Sequence, residues 1–165
     1  MSDLILHQFA ASPFSEKMRR VLAFKGLAYK SVSVPVVMPK PDVVALTGGY
    51  RRTPFLQMGA DIYCDTALMC QVLEALQPTP SLYPSHNLGL IEAFAQWADS
   101  TLFQAAVVWA MQPGGIQAIL GDPSAETLKT FATDRAAMRD RVFQYLLRRS
   151  SAAAAAAPGH AEYVD

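Results

Sequence analysis

Between Arg51 and Met69 one stretch limits the possible folds more than any other part of the chain. Phe55–Met58 and Ile62–Cys64 read as two short strands joined across Gly59-Ala60-Asp61, a hairpin. Thr53-Pro54 stands at the entrance, where proline disfavours helix in the residue before it. Asp65-Thr66 stands at the exit, where a capping residue opens a helix carrying Leu68, Met69, Val72, Leu73 and Leu76 on one stripe. Both ends present backbone donors that the strands and helix do not use, which suggests a site for a small anionic peptide.

Upstream, Leu4 to Phe9 is a nearly continuous apolar run, as a buried strand requires. Ser12-Pro13-Phe14-Ser15-Glu16 is a helix start, with a hydroxyl cap, proline at N1 and an acid in the first turn. Phe14, Met18, Val21 and Leu22 share one helical face, and Gly26 is the stop. Tyr29 to Val34 alternates as a second strand, so strand, helix and strand make a right-handed βαβ unit with parallel strands. Pro35 to Tyr50, with three prolines and Gly48-Gly49, reads as a loop holding at most a short irregular helix. The predicted order is βαβ, a loose connection, then ββα, giving a mixed four-stranded sheet.

The proline-punctuated run Pro78-Thr79-Pro80-Ser81-Leu82-Tyr83-Pro84 marks a linker, after which strands vanish. Leu90, Ile91, Phe94, Trp97 and Ala98 predict a long amphipathic helix reaching towards Met111, broken at Gln112-Pro113-Gly114-Gly115. A second helix is expected from Pro123-Ser124, carrying Leu128, Phe131, Met138, Val142, Tyr145 and Leu146. The division is an α/β domain over 1–78, a linker over 79–86, a partial all-α region over 87–149 and a low-complexity tail over 150–165 containing Ala152–Ala157.

Bulk properties exclude several classes. Fourteen basic residues offset fourteen acidic ones, so nothing chain-wide favours nucleic acid or an anionic membrane. The densest apolar run, Ala105 to Met111, is too short to cross a bilayer. Met1-Ser2-Asp3 lacks the basic start of a signal peptide, so a cytoplasmic protein is expected. Cys64 and Cys70 have neither redox-pair nor zinc spacing, and no metal is expected. His7, His86 and His160 form no ligand set and read as structural or exposed.

Each chemical candidate has two readings. Thr53-Pro54 is either an ordinary trans proline opening a strand, or a cis turn that leaves the Thr53 backbone free to pair with an extended peptide. Asp65 is a plain cap, or a carboxylate facing an amine while Thr66 and the helix N–H groups hold a carboxylate. Ser12 is a cap, or a hydroxyl that donates to a thiolate. In βαβ-ββα topology all three junctions converge on one sheet edge.

Residues 4–84 resemble the thioredoxin-like N-terminal domain of the glutathione S-transferase family. The resemblance is carried by Ser12 to Leu27, Arg52-Thr53-Pro54-Phe55-Leu56, Asp65-Thr66-Ala67 and Pro80-Ser81-Leu82-Tyr83-Pro84. It implies a glutathione-dependent transferase, commonly a cytoplasmic homodimer in detoxification, acting on an unidentified electrophile. It places Ser12 as the thiolate-stabilising hydroxyl and Pro54 as the family's cis-proline, with Thr53 pairing its backbone with the cysteinyl part. Asp65 and Thr66 would hold the γ-glutamyl end, the aspartate one methylene shorter than the family's usual residue. Phe14 falls within the glutathione-contacting motif, and Lys40 and Arg52 are the basic candidates for the glycyl carboxylate. Ser12 and Ser15 occupy both positions where a glutaredoxin-like oxidoreductase would need cysteine. The alternative is a glutathione-transferase-like interaction module without turnover.

Energetically, lowering a thiol pKa of about 8.5 by about two units takes roughly 2.7 kcal/mol. A hydrogen bond to a charged group contributes about 1.5–3 kcal/mol, and a helix N-terminus about 0.3–1 kcal/mol. Ser12 and its helix therefore suffice without a metal or a separate base.

Overall fold

The computed structural model describes residues 3–84 and 87–136. Strand β1 (Leu4–Gln8) is central and pairs in parallel with β2 (Lys30–Ser33). On its other side it pairs antiparallel with β3 (Phe55–Met58), which pairs antiparallel with β4 (Asp61–Cys64). The sheet order is β2-β1-β3-β4, a mixed sheet of thioredoxin-like type.

Helix α1 (Pro13–Phe24) connects β1 to β2. The Ser12 hydroxyl accepts the Ser15 N–H at its start. At its end Gly26 takes φ +64°, Gly26 N–H bonds the Ala23 carbonyl and Leu27 N–H bonds the Leu22 carbonyl. That double closure needs the left-handed conformation glycine adopts freely, and it folds Leu27 back onto the core. Helix α3 (Thr66–Leu76) packs beside α1 on the same sheet face. The core there is Leu4, Leu6, Met18, Leu22, Leu56, Met69, Cys70 and Leu73. Leu68, expected in the apolar stripe, is exposed, and Cys70 fills the core instead.

The stretch read as a loop contains a seven-residue helix, α2 (Pro41–Thr47), bounded by Pro41 at its first turn and Gly48 at φ +65°. One residue holds it. Val43 is buried with Val34 and Phe55 in a smaller cluster.

Beyond the linker, α4 (Leu88–Trp97) runs through a π-helical turn (Ala98–Leu102) into α5 (Phe103–Ala110). The predicted single helix is thus continuous but widened at its middle. Gln112-Pro113-Gly114-Gly115 does end α5, yet Pro113 also begins α6 (Pro113–Leu120), which the breaker signal concealed. Gly115 permits the tight corner, because a Cβ there would lie 1.8 Å from the Ala110 carbonyl oxygen. No residue of α4, α5 or α6 is buried. These elements belong to one compact unit, Met1–Asp122, and a second begins at Pro123, where residues 125–136 are helical. The expectations for His86, His160, Met138, Val142, Tyr145, Leu146 and the alanine run concern positions outside the described residues.

Candidate functional site

Strand register gathers the three junctions. His7 pairs with Phe55 and Phe55 pairs with Cys64. The loop after β1, the turn before β3 and the start of α3 therefore leave the sheet at one edge.

Ser12 lies at the first of these exits, only 4 % exposed. Its Oγ accepts from Ser15 N–H at 3.2 Å, which uses a lone pair and leaves its O–H to donate. At the second, the Thr53–Pro54 bond is cis, as are Met38–Pro39 and Thr79–Pro80. Lys40, almost fully buried, donates to the Thr53 hydroxyl at 3.3 Å, and its ammonium stands 6.0 Å from the Phe9 ring centre. Phe9 in turn accepts the Ser12 N–H on its carbonyl at 3.2 Å. Ser12, Phe9, Lys40 and Thr53 thus form one connected edge.

At the third exit Asp65 caps α3 by accepting the Ala67 N–H at 2.8 Å. Its φ of +85° makes it the sole non-glycine residue with positive φ among the described residues. Such a backbone persists where its surroundings over-determine it, commonly at binding sites. Thr66, the first helical residue, is buried, and its hydroxyl accepts from Lys17 Nζ at 3.1 Å. Lys17 also forms an ion pair with Asp99 of the π-helical turn. The N-terminus of α3, the Thr66 hydroxyl and a lysine ammonium therefore meet at one point, the combination that receives a carboxylate.

Arg52 is exposed at the rim. Near it is Tyr50, whose phenol is pushed up mainly by burial, with the Arg52 and Asp65 charges pulling in opposite directions. Phe14, half-buried, sets its ring against Phe103 at 4.7 Å and 52°. Lys17, Asp99, Tyr50 and Phe103 had no signal in the sequence reading. Lys17 is 49 residues from Thr66 and 82 from Asp99, so no local pattern joins them.

Neither cysteine is primed for chemistry. Burial pushes both the Cys64 and Cys70 thiols up, with the Asp65 charge adding to the effect at Cys64. His7 is structural: its ring stacks on Phe55 at 4.3 Å and bonds Gln57 at 2.9 Å. Among the described residues no group of three metal-ligating side chains comes together, and no helix is long and apolar enough to cross a membrane. A groove of about 410 Å³ lies apart from this edge, lined by Arg20, Val21, Phe24, Ser81, Leu82 and Pro84.

Residues 6–81 match the family model described as glutathione S-transferase, N-terminal domain. A crystal structure of a GST-like protein from Pseudomonas syringae is 52 % identical, with TM-score 0.65, over 70 % of this chain and 42 % of that one. A glutathione S-transferase from Rhodospirillum rubrum superposes with TM-score 0.59 at 21 % identity, covering 88 % of this chain and 67 % of that one. A glutathione transferase homologue from sulfitobacter, solved with bound glutathione, gives TM-score 0.54 at 21 % identity over 81 % and 67 % of the two chains. No curated protein matches. The chain spans less than half the length of the Pseudomonas syringae protein.

Proposed function

The chain belongs to the glutathione S-transferase family through its N-terminal domain, and on that premise we propose that it binds glutathione as co-substrate and activates its thiol for attack on an electrophile. The observation that carries the reading is the meeting of Lys17 Nζ, the Thr66 hydroxyl and the α3 N-terminus, with Asp65 beside them. A γ-glutamyl group ends in a carboxylate and an ammonium. The first suits Lys17, Thr66 and the helix N–H groups; the second suits the Asp65 carboxylate oxygen that Ala67 does not use.

From there the peptide runs in extended form along the edge. The Thr53 backbone beside Pro54 takes its cysteinyl amide, and Lys40, with Arg52 at the rim, takes the glycyl carboxylate. Phe14 flanks the thiol. Ser12 donates its O–H to the sulfur, and the positive end of α1 assists, so the thiol proton leaves to solvent and the thiolate persists. The sulfur then attacks an electrophilic carbon and its leaving group departs. Cys64 and Cys70 take no part, since both are held as thiols. The full protein acts on this reading as a cytoplasmic, homodimeric detoxifying transferase without a metal.

The test pairs retention on immobilised glutathione with conjugation of an electrophile panel. Retention abolished by free glutathione and weakened by Thr66→Val is expected. Retention without turnover on any electrophile would favour the interaction module. Absence of retention would contradict the glutathione reading altogether.

A further inference from the structure

Two serines stand one turn apart at the start of α1, and only the first has a partner for its hydroxyl oxygen. Ser15 is fully buried, and among the described residues its Oγ has no hydrogen-bond partner. The Ser15 N–H is spent on Ser12 Oγ at 3.2 Å. A reciprocal capping box would offer the Ser12 N–H to the Ser15 side chain, but the Phe9 carbonyl takes it at 3.2 Å. In the free protein the hydroxyl is therefore a cost. A buried oxygen without a partner destabilises, and alanine would suit the helix better. Such a group calls for a role in a second state of the site.

Ser12 supplies that state. It is 4 % exposed against 0 % for Ser15, so a ligand atom reaches Ser12 and not Ser15. A serine hydroxyl has one O–H and two lone pairs. The Ser15 N–H occupies one lone pair of Ser12 Oγ, and on the proposed function the O–H goes to the glutathione sulfur. One lone pair is left over. Ser15 Oγ is three bonds from the nitrogen that already donates to Ser12 Oγ, and a serine hydroxyl in a helix readily turns back towards residues three or four positions earlier. Ser12 is three positions earlier.

We propose that Ser15 is a positioning residue for the thiolate: once the sulfur accepts the Ser12 O–H, the Ser15 O–H turns onto the remaining lone pair of Ser12 Oγ. The proposal rests on the reading that Ser12 donates to the sulfur. Two hydrogen bonds in series, Ser15 to Ser12 and Ser12 to sulfur, hold the Ser12 hydroxyl in its donating orientation and polarise it, and bonds in such a chain strengthen one another. No proton changes hands between the serines, and the thiol proton still leaves to solvent.

The experiment takes Ser15→Ala through thermal unfolding, ultraviolet titration of the bound glutathione thiol, and the pH profile of 1-chloro-2,4-dinitrobenzene conjugation at saturating glutathione. The variant should melt no lower than the parent, because it loses the unpaired hydroxyl and gains the better helix former. Its bound thiol should titrate about 0.3–0.6 pH units higher. Conjugation at about pH 5.5 should fall about two- to four-fold, while the rate at about pH 9, where the thiol is ionised in both proteins, should stay as it was. In a Ser12→Ala background the same substitution should move neither quantity, since its acceptor is gone. A parental thiol pKa in Ser15→Ala, whatever its melting point, or an equal rise in the Ser12→Ala background, would overturn the proposal while the role of Ser12 still stands. A bound thiol that titrates like free glutathione in the parent protein would overturn the underlying reading, and this proposal with it.

Discussion

Replacing Glu74 by glutamine should destabilise the N-terminal domain more than replacing its partner Lys25 by methionine. The Lys25 side chain is fully buried, forms an ion pair with Glu74, and donates to the Gln77 and Pro80 carbonyls at 2.7 and 2.9 Å. Glu74 also accepts from Ser81 Oγ at 2.5 Å and Leu82 N–H at 2.9 Å, so the pair pins the linker onto α1 and α3. Burial acts to raise the Glu74 carboxyl, but the Leu82 N–H, the Lys25 ammonium and the Ser81 hydroxyl outweigh it and hold it at about 2. A fall from 4.5 to about 2 sets a ceiling of about 3 kcal/mol. With the Glu74 side chain still 21 % exposed, solvent screening brings this to about 2 kcal/mol. Glu74→Gln leaves the buried Lys25 ammonium its two carbonyl acceptors but no counter-charge, so its cost approaches about 3 kcal/mol. Lys25→Met leaves a carboxylate that water and two donors still reach, and should cost about 1–2 kcal/mol. Urea unfolding of both single variants and the double variant at pH 7 measures these values and their coupling. The folded pKa lies below the unfolded one, so this stabilisation is complete above about pH 4.5 and fades as pH falls towards about 2. Glu74→Gln should remove that acid-dependent part. Equal stability for the two single variants, or an unchanged acid profile in Glu74→Gln, would show that the Lys25–Glu74 pair does not hold the linker in this way.

Lys17→Met should weaken glutathione binding by about ten-fold, the worth of one charge-assisted hydrogen bond. Isothermal titration at two salt concentrations would show this as a lost salt dependence as well as lost affinity. Gly115→Ala should cost about 1–3 kcal/mol by thermal unfolding, because the new methyl group meets the Ala110 carbonyl at 1.8 Å. No change there would mean the α5–α6 corner opens freely.

Local patterns carried most of the N-terminal domain. The Ser12 cap, the Gly26 closure, the hairpin about Gly59-Ala60 and the Asp65 cap are all set by a few adjacent residues, and all form where the sequence placed them. Topology then brought Ser12, Thr53 and Asp65 to one edge through the His7–Phe55–Cys64 register. Helix α2 was hard to see because prolines surround it and its hold on the sheet is the single side chain of Val43. Helix α6 was hidden because Pro113 signals both an end and a beginning. Contacts between distant residues left no trace at all. Lys17 reads as an ordinary solvated lysine on α1 until α3 and the π-helical turn are in place around it.

On the proposed function Ser12 lowers the pKa of a bound glutathione thiol, which an ultraviolet titration of thiolate absorbance in the protein–glutathione complex reads out. The bound thiol should titrate about two units below the free value of about 8.5. In Ser12→Ala it should return most of the way, with conjugation slowed by about 10- to 100-fold at neutral pH. Loss of the cap costs about 1 kcal/mol, which leaves a folded protein to titrate. A bound thiol with the same pKa in both proteins would rule out this role for Ser12.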